Sequence, residues 1–173
     1  MEKNEAAPTG MSELQENLDY IRGIYLFSGL PIESLKVLAY MCNREKFRKG
    51  EFLFRQEDDD GQAFFIISGT ARLVHEDETG RHDIRDMTDG DFFGGIALLG
   101  KCRRLFSLQA QSDMVCLVLD RKKFNSTVSQ FPDVFPRIIK SLVEQINAWE
   151  EHFLMSRTEG CEACARKVGV SLL

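Results

Sequence analysis

The chain has 173 residues, of which 43% are hydrophobic and 28% are charged, and its thirteen phenylalanines can supply a sizeable core. This size and composition predict one globular domain and exclude a chain that is disordered over most of its length. The net charge of −5 and the lack of a long basic run argue against direct nucleic-acid binding. No apolar stretch approaches the roughly 20 residues that a membrane-inserted helix needs.

The N-terminal part predicts a leader and two helices. Residues 1–11 mix charge with Ala, Pro and Gly without periodicity, which indicates a disordered leader. Apolar residues at helical spacing then predict a first helix over about 12–24. Pro31 stands where a first helical turn is expected, and it predicts a second, short helix. The folded domain is therefore expected to span residues 12–155.

Between residues 43 and 120 the sequence consists of short β-like runs that are separated by turns. The turn signals, from Lys49-Gly50 to Asp89-Gly90, recur about every ten residues, and two further strands are expected near 104–111 and 114–119. This spacing is typical of a β-roll and not of alternating strands and helices. The predicted fold is mainly β with flanking helices: an antiparallel β-roll of the double-stranded β-helix or jelly-roll type.

The C-terminal part predicts a short helix over 121–129 and a long amphipathic helix that begins near Pro132, within a helical region 121–155. The apolar side of the long helix either packs back on the roll or pairs with a second copy in a homodimer. Residues 156–173 lose the helical period and predict a flexible tail. The residues expected at a dimer seam are Ile138, Leu142, Ile146, Trp149 and Phe153.

Residues 90–110 read GDFFGGIALLGKCRRLFSLQA and carry the functional signal. A strand ends at Phe93, two glycines then allow a tight turn, and the apolar run after them predicts a single helical turn. We call residues 94–98 the glycine turn. Backbone N–H groups at such a turn carry partial positive charge, and Arg103 and Arg104 add full charges further on. This combination predicts a site for one small anion.

The order of several segments resembles the cyclic nucleotide-binding domain family over about residues 25–155. The segments are LFSGLPIESLKVLA, FFIISGTARL, and GDFFGGIALL followed by an arginine. The resemblance implies a non-catalytic regulatory module that needs no cofactor and that has a cyclic nucleotide as its candidate ligand. It places Arg104 at the phosphate-binding arginine and Ser107 at the last hydroxyl of the site. The ligand-binding residues that it implies are Phe93, Gly94, Gly95, Ile96, Ala97, Leu98, Arg104, Leu105 and Ser107.

Two departures from the family pattern affect this site. The family's glutamate, which accepts a hydrogen bond from the ribose 2′-hydroxyl, falls on Gly95, and such a bond is worth roughly 1.5–3 kcal/mol. Leu105 and Phe106 replace two small residues next to the ligand. Three interpretations therefore stay open: a cyclic nucleotide with weakened affinity, another small anion, or a vestigial pocket in a scaffold or dimerisation domain. Arg104 is expected to pair either with an internal acid or with a ligand.

Signal output is expected through the long helix, in a homodimer or toward a separate effector protein. The acidic run Glu57–Asp60, which we call the acidic loop, is expected to be a solvated turn. His75, His82 and His152 are expected to be structural or solvent-facing, without a metal. No nucleophile stands in a motif with a base, so no enzyme activity is expected.

The cysteines indicate a cellular compartment and one weak metal candidate. Five cysteines, an odd number, stand in a chain without a secretory signal, which predicts reduced thiols and a cytoplasmic location. Cys161 and Cys164 form a lone CxxC pair, and zinc requires four ligands. A redox thiol pair or ordinary tail cysteines are the favoured interpretations, and two such tails that meet across a dimer are the alternative that would complete a four-thiolate zinc site.

Overall fold

The computed structural model describes residues 11–156, so most of the predicted leader and tail, with Cys161 and Cys164, lies outside the described residues. The helices are α1 (Met11–Gly23), α2 (Ile32–Met41), α3 (Gly95–Leu99), α4 (Arg121–Gln130) and α5 (Val134–Ser156), and a 3-10 turn spans Tyr25–Phe27. The strands are β1 (Asn43–Phe47), β2 (Phe52–Phe54), β3 (Gln62–Ser68), β4 (Ala71–Asp77), β5 (Gly80–Met87), β6 (Phe92–Phe93), β7 (Ser107–Ala110) and β8 (Met114–Asp120).

The strands form two four-stranded sheets that face each other. The first sheet has the order β1-β8-β3-β6 and the second the order β2-β7-β4-β5, and every pairing is antiparallel. Apart from the β4–β5 hairpin, consecutive strands alternate between the two sheets, so the chain winds around a common core. The predicted antiparallel β-roll with flanking helices is confirmed.

The central strands of the first sheet are covered on both faces. Phe64 and Ile66 of β3 point into the space between the sheets, whereas Phe65 packs with the helices outside the roll. Strand β8 divides its side chains in the same way, with Cys116 inside and Leu117 outside. Because side chains alternate across a strand, burial of both faces explains the uninterrupted apolar runs of these two strands.

The helices close the outer face of the first sheet, and the beginning of α5 belongs to this core. Val134 and Ile138 are fully buried, and Leu142 packs partly against the same cluster. Ile138 therefore lies in the core of its own chain. The sequence had placed it at a dimer seam, and its burial makes it unavailable for one. Further along α5 the apolar side opens to solvent, and Trp149 is 60% exposed. The side chain of Phe153 lies outside the described residues.

Candidate functional site

Gly94 connects the edge strand β6 to helix α3, which contains the other residues of the glycine turn. Phe93 pairs with Phe64 of β3, and Gly94 then adopts a left-handed conformation with φ of 83° before α3 begins. A Cβ atom at Gly94 would lie 2.7 Å from the carbonyl oxygen of Gln62 and 2.7 Å from Nη1 of Arg104. Both the backbone angle and the close approach therefore require glycine at this position.

Arg104 lies under the glycine turn and is only 5% exposed. Its Nε and Nη2 donate to the two carboxylate oxygens of Asp60 at 3.2 and 2.6 Å, and Nη2 also donates to the carbonyl oxygen of Gln62 at 2.5 Å. The guanidinium carbon lies 4.2 Å from the centroid of the Phe54 ring. These contacts compensate much of the cost of burying the charge. Among the described residues, Nη1 has no hydrogen-bond acceptor, and this edge of the guanidinium faces Gly94.

The acidic loop is exposed at Glu57, Asp58 and Asp59, as its sequence predicted, but its side chains form ion pairs that were not predicted. It joins β2 to β3 as expected, but Asp60 pairs with Arg104, Asp59 pairs with Arg121, and Glu57 pairs with Arg103. The main chain of the loop also binds that of Arg104 in both directions. The site arginine therefore has an internal acid from a distant part of the sequence. One sequence feature could have indicated this pairing. The acidic run directly precedes β3, and β3 pairs with β6, the strand that leads into the glycine turn.

The other predicted ligand residues lie near Arg104, but they differ in how exposed their side chains are to a ligand. Ala97 and Leu98 are buried in α3, whereas Ile96 is exposed. The Ser107 hydroxyl is buried and accepts a hydrogen bond from the backbone N–H of Gln56 at 2.9 Å, which occupies one of its lone pairs. Leu105 is 63% exposed at the rim of the site. Seven of the nine predicted ligand residues thus line one pocket, with Arg104 as its buried cation, whereas Leu98 and Ser107 do not line it.

The two departures from the family pattern have distinct structural consequences. A Cβ atom at Gly95 would lie 2.8 Å from Cδ2 of Leu26 and 3.0 Å from Cε1 of Phe92, so apolar groups close the space above this glycine. Phe106 packs edge-on against Phe93, with 5.2 Å between the ring centroids. Phe106 therefore forms part of a wall, and an open pocket remains beside it.

This pocket has a volume of about 630 Å³, which is within the ~300–1,000 Å³ typical of small-molecule sites. One wall is the roll side, formed by the glycine turn and residues 102–106. The opposite wall is formed by the 3-10 turn and by α5, which contributes Leu142, Gln145, Ile146 and Trp149. The sequence assigned three of these α5 residues to a dimer seam, and their position in the pocket wall was not predicted.

Two hydrogen bonds link α5 to the segment between α1 and α2. The Tyr25 hydroxyl donates to Oε2 of Glu144 at 3.2 Å, and Nη1 of Arg137 donates to the carbonyl oxygen of Gly29 at 3.1 Å. Partial burial and the hydrogen bond to Glu144 raise the pKa of Tyr25 above its usual value. The tyrosine is therefore held in its neutral, donating form to higher pH.

Arg121 connects the glycine turn to the C-terminal helices. It is the first residue of α4, and its Nε donates to the carbonyl oxygen of Ala97 at 2.6 Å. Its Nη2 donates to Asp59 at 2.5 Å, and this bond lowers the pKa of the Asp59 carboxyl. A displacement of α3 would therefore be transmitted directly to the start of α4.

The histidines and the buried cysteines do not line this pocket, although Nδ1 of His75 lies 3.1 Å from the carbonyl oxygen of Leu105 at its rim. His75 and His82 are opposite each other on β4 and β5, and His82 contacts Asp77 at 3.2 Å. Over residues 11–156, no group of three or more His, Cys, Asp or Glu side chains is arranged to hold a metal ion.

Burial raises the pKa of the Cys42 and Cys116 thiols to about 12. Within residues 11–156, no helix is long and apolar enough to span a membrane.

Comparison with known families and sequences relates this chain to cyclic nucleotide-binding domains and to cGMP-dependent protein kinases. A family model described as cyclic nucleotide-binding domain matches residues 44–131. The cGMP-dependent protein kinase 2 of Mus musculus is 29% identical over 148 residues, which are 83% of this chain and 19% of the kinase. The cGMP-dependent protein kinase egl-4 of Caenorhabditis elegans is 31% identical over 123 residues, 69% of this chain and 16% of the kinase. This chain therefore spans less than a fifth of either kinase.

Two solved structures show the same fold. A cyclic nucleotide-binding-like protein from Brucella abortus is 28% identical with a TM-score of 0.61, and the match covers 66% of this chain and 98% of that protein. The catabolite activator protein of Thermus thermophilus is 25% identical with a TM-score of 0.61, over 77% of this chain and 63% of that protein. Both similarities agree with the two-sheet roll and its flanking helices.

Proposed function

This chain belongs to the cyclic nucleotide-binding domain family, and from that premise we propose that it is a non-catalytic sensor of a small anionic ligand. The ligand occupies the pocket between the roll and α5, and a cyclic nucleotide or an analogue is the first candidate. The proposal includes a cytoplasmic location. The free thiols of Cys42, Cys102 and Cys116 support it, because unpaired cysteines are usual in reducing compartments.

The observation that carries the proposal is the position of Arg104. Its buried guanidinium borders the pocket, two of its nitrogens are fixed by Asp60 and Gln62, and Nη1 is left on the side of Gly94. A fixed donor needs no reordering when a ligand arrives, so little entropy is lost on binding. Because Gly94 has no Cβ, its backbone approaches this nitrogen closely, and the proposed anion binds at the same edge of the guanidinium.

Several contacts support weakened affinity for a cyclic nucleotide. Leu26 and Phe92 stand over Gly95, so a ligand hydroxyl there would meet carbon atoms instead of a carboxylate. Asp60 already neutralises much of the Arg104 charge, and the Ser107 hydroxyl is buried outside the pocket lining. Loss of one charged acceptor corresponds to about one to two decades of affinity.

Signal output is proposed to pass through α5, because this helix forms the wall that a ligand would contact. The outer side of α5 favours a second candidate function, a homodimerisation or effector-binding helix. Phe135, Ile139 and Val143 are exposed large apolar residues on this helix. Such residues on one element are typical of interaction surfaces.

The test of the sensor proposal is isothermal titration calorimetry of the chain with cGMP and with cAMP. We expect binding to the wild type and a loss of at least tenfold in affinity for Arg104→Lys, since an ammonium cannot hold Asp60 and an anion at fixed positions. The matched control is Arg103→Lys. Arg103 is the neighbouring arginine, its side chain is 64% exposed, and its partner is Glu57. Less than a twofold change is expected for this control.

Circular dichroism and thermal unfolding of both variants establish that they are folded. If neither nucleotide binds the wild type at millimolar concentration, the cyclic nucleotide proposal is wrong. Sedimentation velocity of the same samples then measures self-association and tests the second candidate. Equal losses for Arg103→Lys and Arg104→Lys would show that the ligand binds a diffuse surface charge and not this pocket.

A further inference from the structure

We infer that the pocket selects an anion attached to an apolar body over an anion attached to a hydroxylated body. This inference rests on the proposed function, because it names the class of ligand that the same pocket takes. An aromatic phosphate ester represents the favoured class, and a sugar phosphate represents the disfavoured one.

The first argument is the small number of charged contacts that the pocket can make. Its two charged lining residues are Arg103 and Arg104. Arg103 points to Glu57 and lies largely in solvent, where an ion pair contributes little. Arg104 uses two nitrogens on Asp60 and Gln62 and has Nη1 for a ligand. The roll wall therefore offers one strong contact to one anionic group.

The second argument is the apolar character of the surface around that contact. Leu26 and Phe92 close the space over Gly95, and Ile146 and Trp149 stand across the pocket on α5. Removal of apolar surface from water stabilises a complex in proportion to the area that is buried. A ligand body made of carbon and aromatic groups thus gains affinity from both walls.

The third argument is the shortage of polar partners for a hydroxylated ligand. The Tyr25 hydroxyl in the pocket wall donates to Glu144, and the Ser107 hydroxyl does not line the pocket. Gln145 is the one amide side chain of the lining. A ligand hydroxyl that loses its water without a replacement partner lowers affinity by roughly ten- to a hundredfold. Several hydroxyls on one ligand cannot all be satisfied by a single glutamine.

The experiment compares 1-naphthyl phosphate with glucose 1-phosphate by calorimetry on the full chain. Inorganic phosphate and 1-naphthol are measured beside them as the anion alone and the apolar body alone. We expect 1-naphthyl phosphate to bind at least tenfold tighter than each of the other three. Glucose 1-phosphate binding equally well or better would overturn the inference.

Two variants of α5 locate the bound probe. Ile146→Asn places an amide in the pocket wall and should weaken 1-naphthyl phosphate at least fivefold. Val143→Asn changes an exposed residue of the same helix that does not line the pocket, and it should leave the affinity within twofold. Equal effects of the two variants would contradict the inference, because they would place the probe on the outer side of α5.

Competition with cGMP separates this inference from the proposed function. If cGMP binds and 1-naphthyl phosphate neither binds nor displaces it, the inference alone is wrong. If neither compound binds, both proposals are wrong. If 1-naphthyl phosphate binds the Val143→Asn variant normally and is displaced by cGMP, both proposals are supported at one shared pocket.

Discussion

The two walls of the pocket differ in how firmly the chain holds them. On the roll side, Arg104 is buried and is bound by Asp60, Gln62 and the ring of Phe54. On the helix side, Ile146 is 39% exposed and Trp149 is 60% exposed. Close-packed interiors resist displacement, whereas weakly covered elements open at low cost in free energy. Under the proposed function, the roll wall would select the anion and the α5 wall would be the part that responds to it.

The strongest test of the fixed wall is Gly94→Ala. The left-handed φ of 83° disfavours any side chain, and the new Cβ would lie 2.7 Å from the carbonyl oxygen of Gln62. We expect a loss of about 3 kcal/mol or more in the free energy of unfolding, measured in urea. The matched control is Gly90→Ala, because Gly90 has a similar φ of 89° and no atom within 4 Å of its ideal Cβ.

Gly90→Ala should lose about 1–2 kcal/mol, the cost of the backbone conformation by itself. The difference between the two variants measures the close approach at the glycine turn. Equal losses would mean that Gly94 is needed only for its φ angle and that the roll wall is less tightly closed than its distances indicate.

A second test separates the buried ion pair from the exposed one in the same loop. Asp60→Asn leaves the buried Arg104 without its counter-charge, so we expect a loss of about 2–3 kcal/mol. Glu57→Gln makes the same chemical change opposite the exposed Arg103 and should cost no more than about 0.5 kcal/mol. Urea unfolding of both variants at pH 7 provides the measurement. Similar values for the two would show that Asp60 does not act as a buried partner.

The sequence predicted those features that are written in local patterns. Continuous apolar runs predicted β3 and β8, turn glycines predicted the roll, and the paired glycines before IALL predicted the turn that α3 completes. These features follow from backbone preferences and from alternation of side chains over a few neighbouring residues.

The features that were missed depend on contacts between distant residues. Asp60 reaches Arg104 across 44 positions in the chain, and the acidic loop reads as a solvated turn when it is taken alone. The apolar face of α5 gave no indication of which residues enter the core, so Ile138 was assigned to a dimer seam although it is fully buried. Trp149 lies in the pocket wall because of the path that α5 takes over the roll. The helical periodicity of the sequence gives no information about that path.

The smallest expected effect concerns the helix wall and its contact between Tyr25 and Glu144. Because the folded-state pKa of Tyr25 is raised, this hydrogen bond is fully present below the unfolded-state pKa and is lost as pH rises through the folded-state pKa. Trp149 is the only tryptophan and stands in the same wall, so its emission reports the position of α5. An alkaline titration should change Trp149 emission in the wild type and in Tyr40→Phe, since Tyr40 is largely exposed on α2.

In Tyr25→Phe the alkaline change in emission should disappear, while the urea midpoint at pH 7 stays equal to that of the wild type. A lowered midpoint would show that the 3-10 turn holds α5 as firmly as the roll holds Arg104, and the difference between the two walls would then be lost. An alkaline change that persists in Tyr25→Phe would assign it to another group. A changed emission at neutral pH, with stability preserved, would show that this single hydrogen bond sets the resting position of the helix that we propose responds to the ligand.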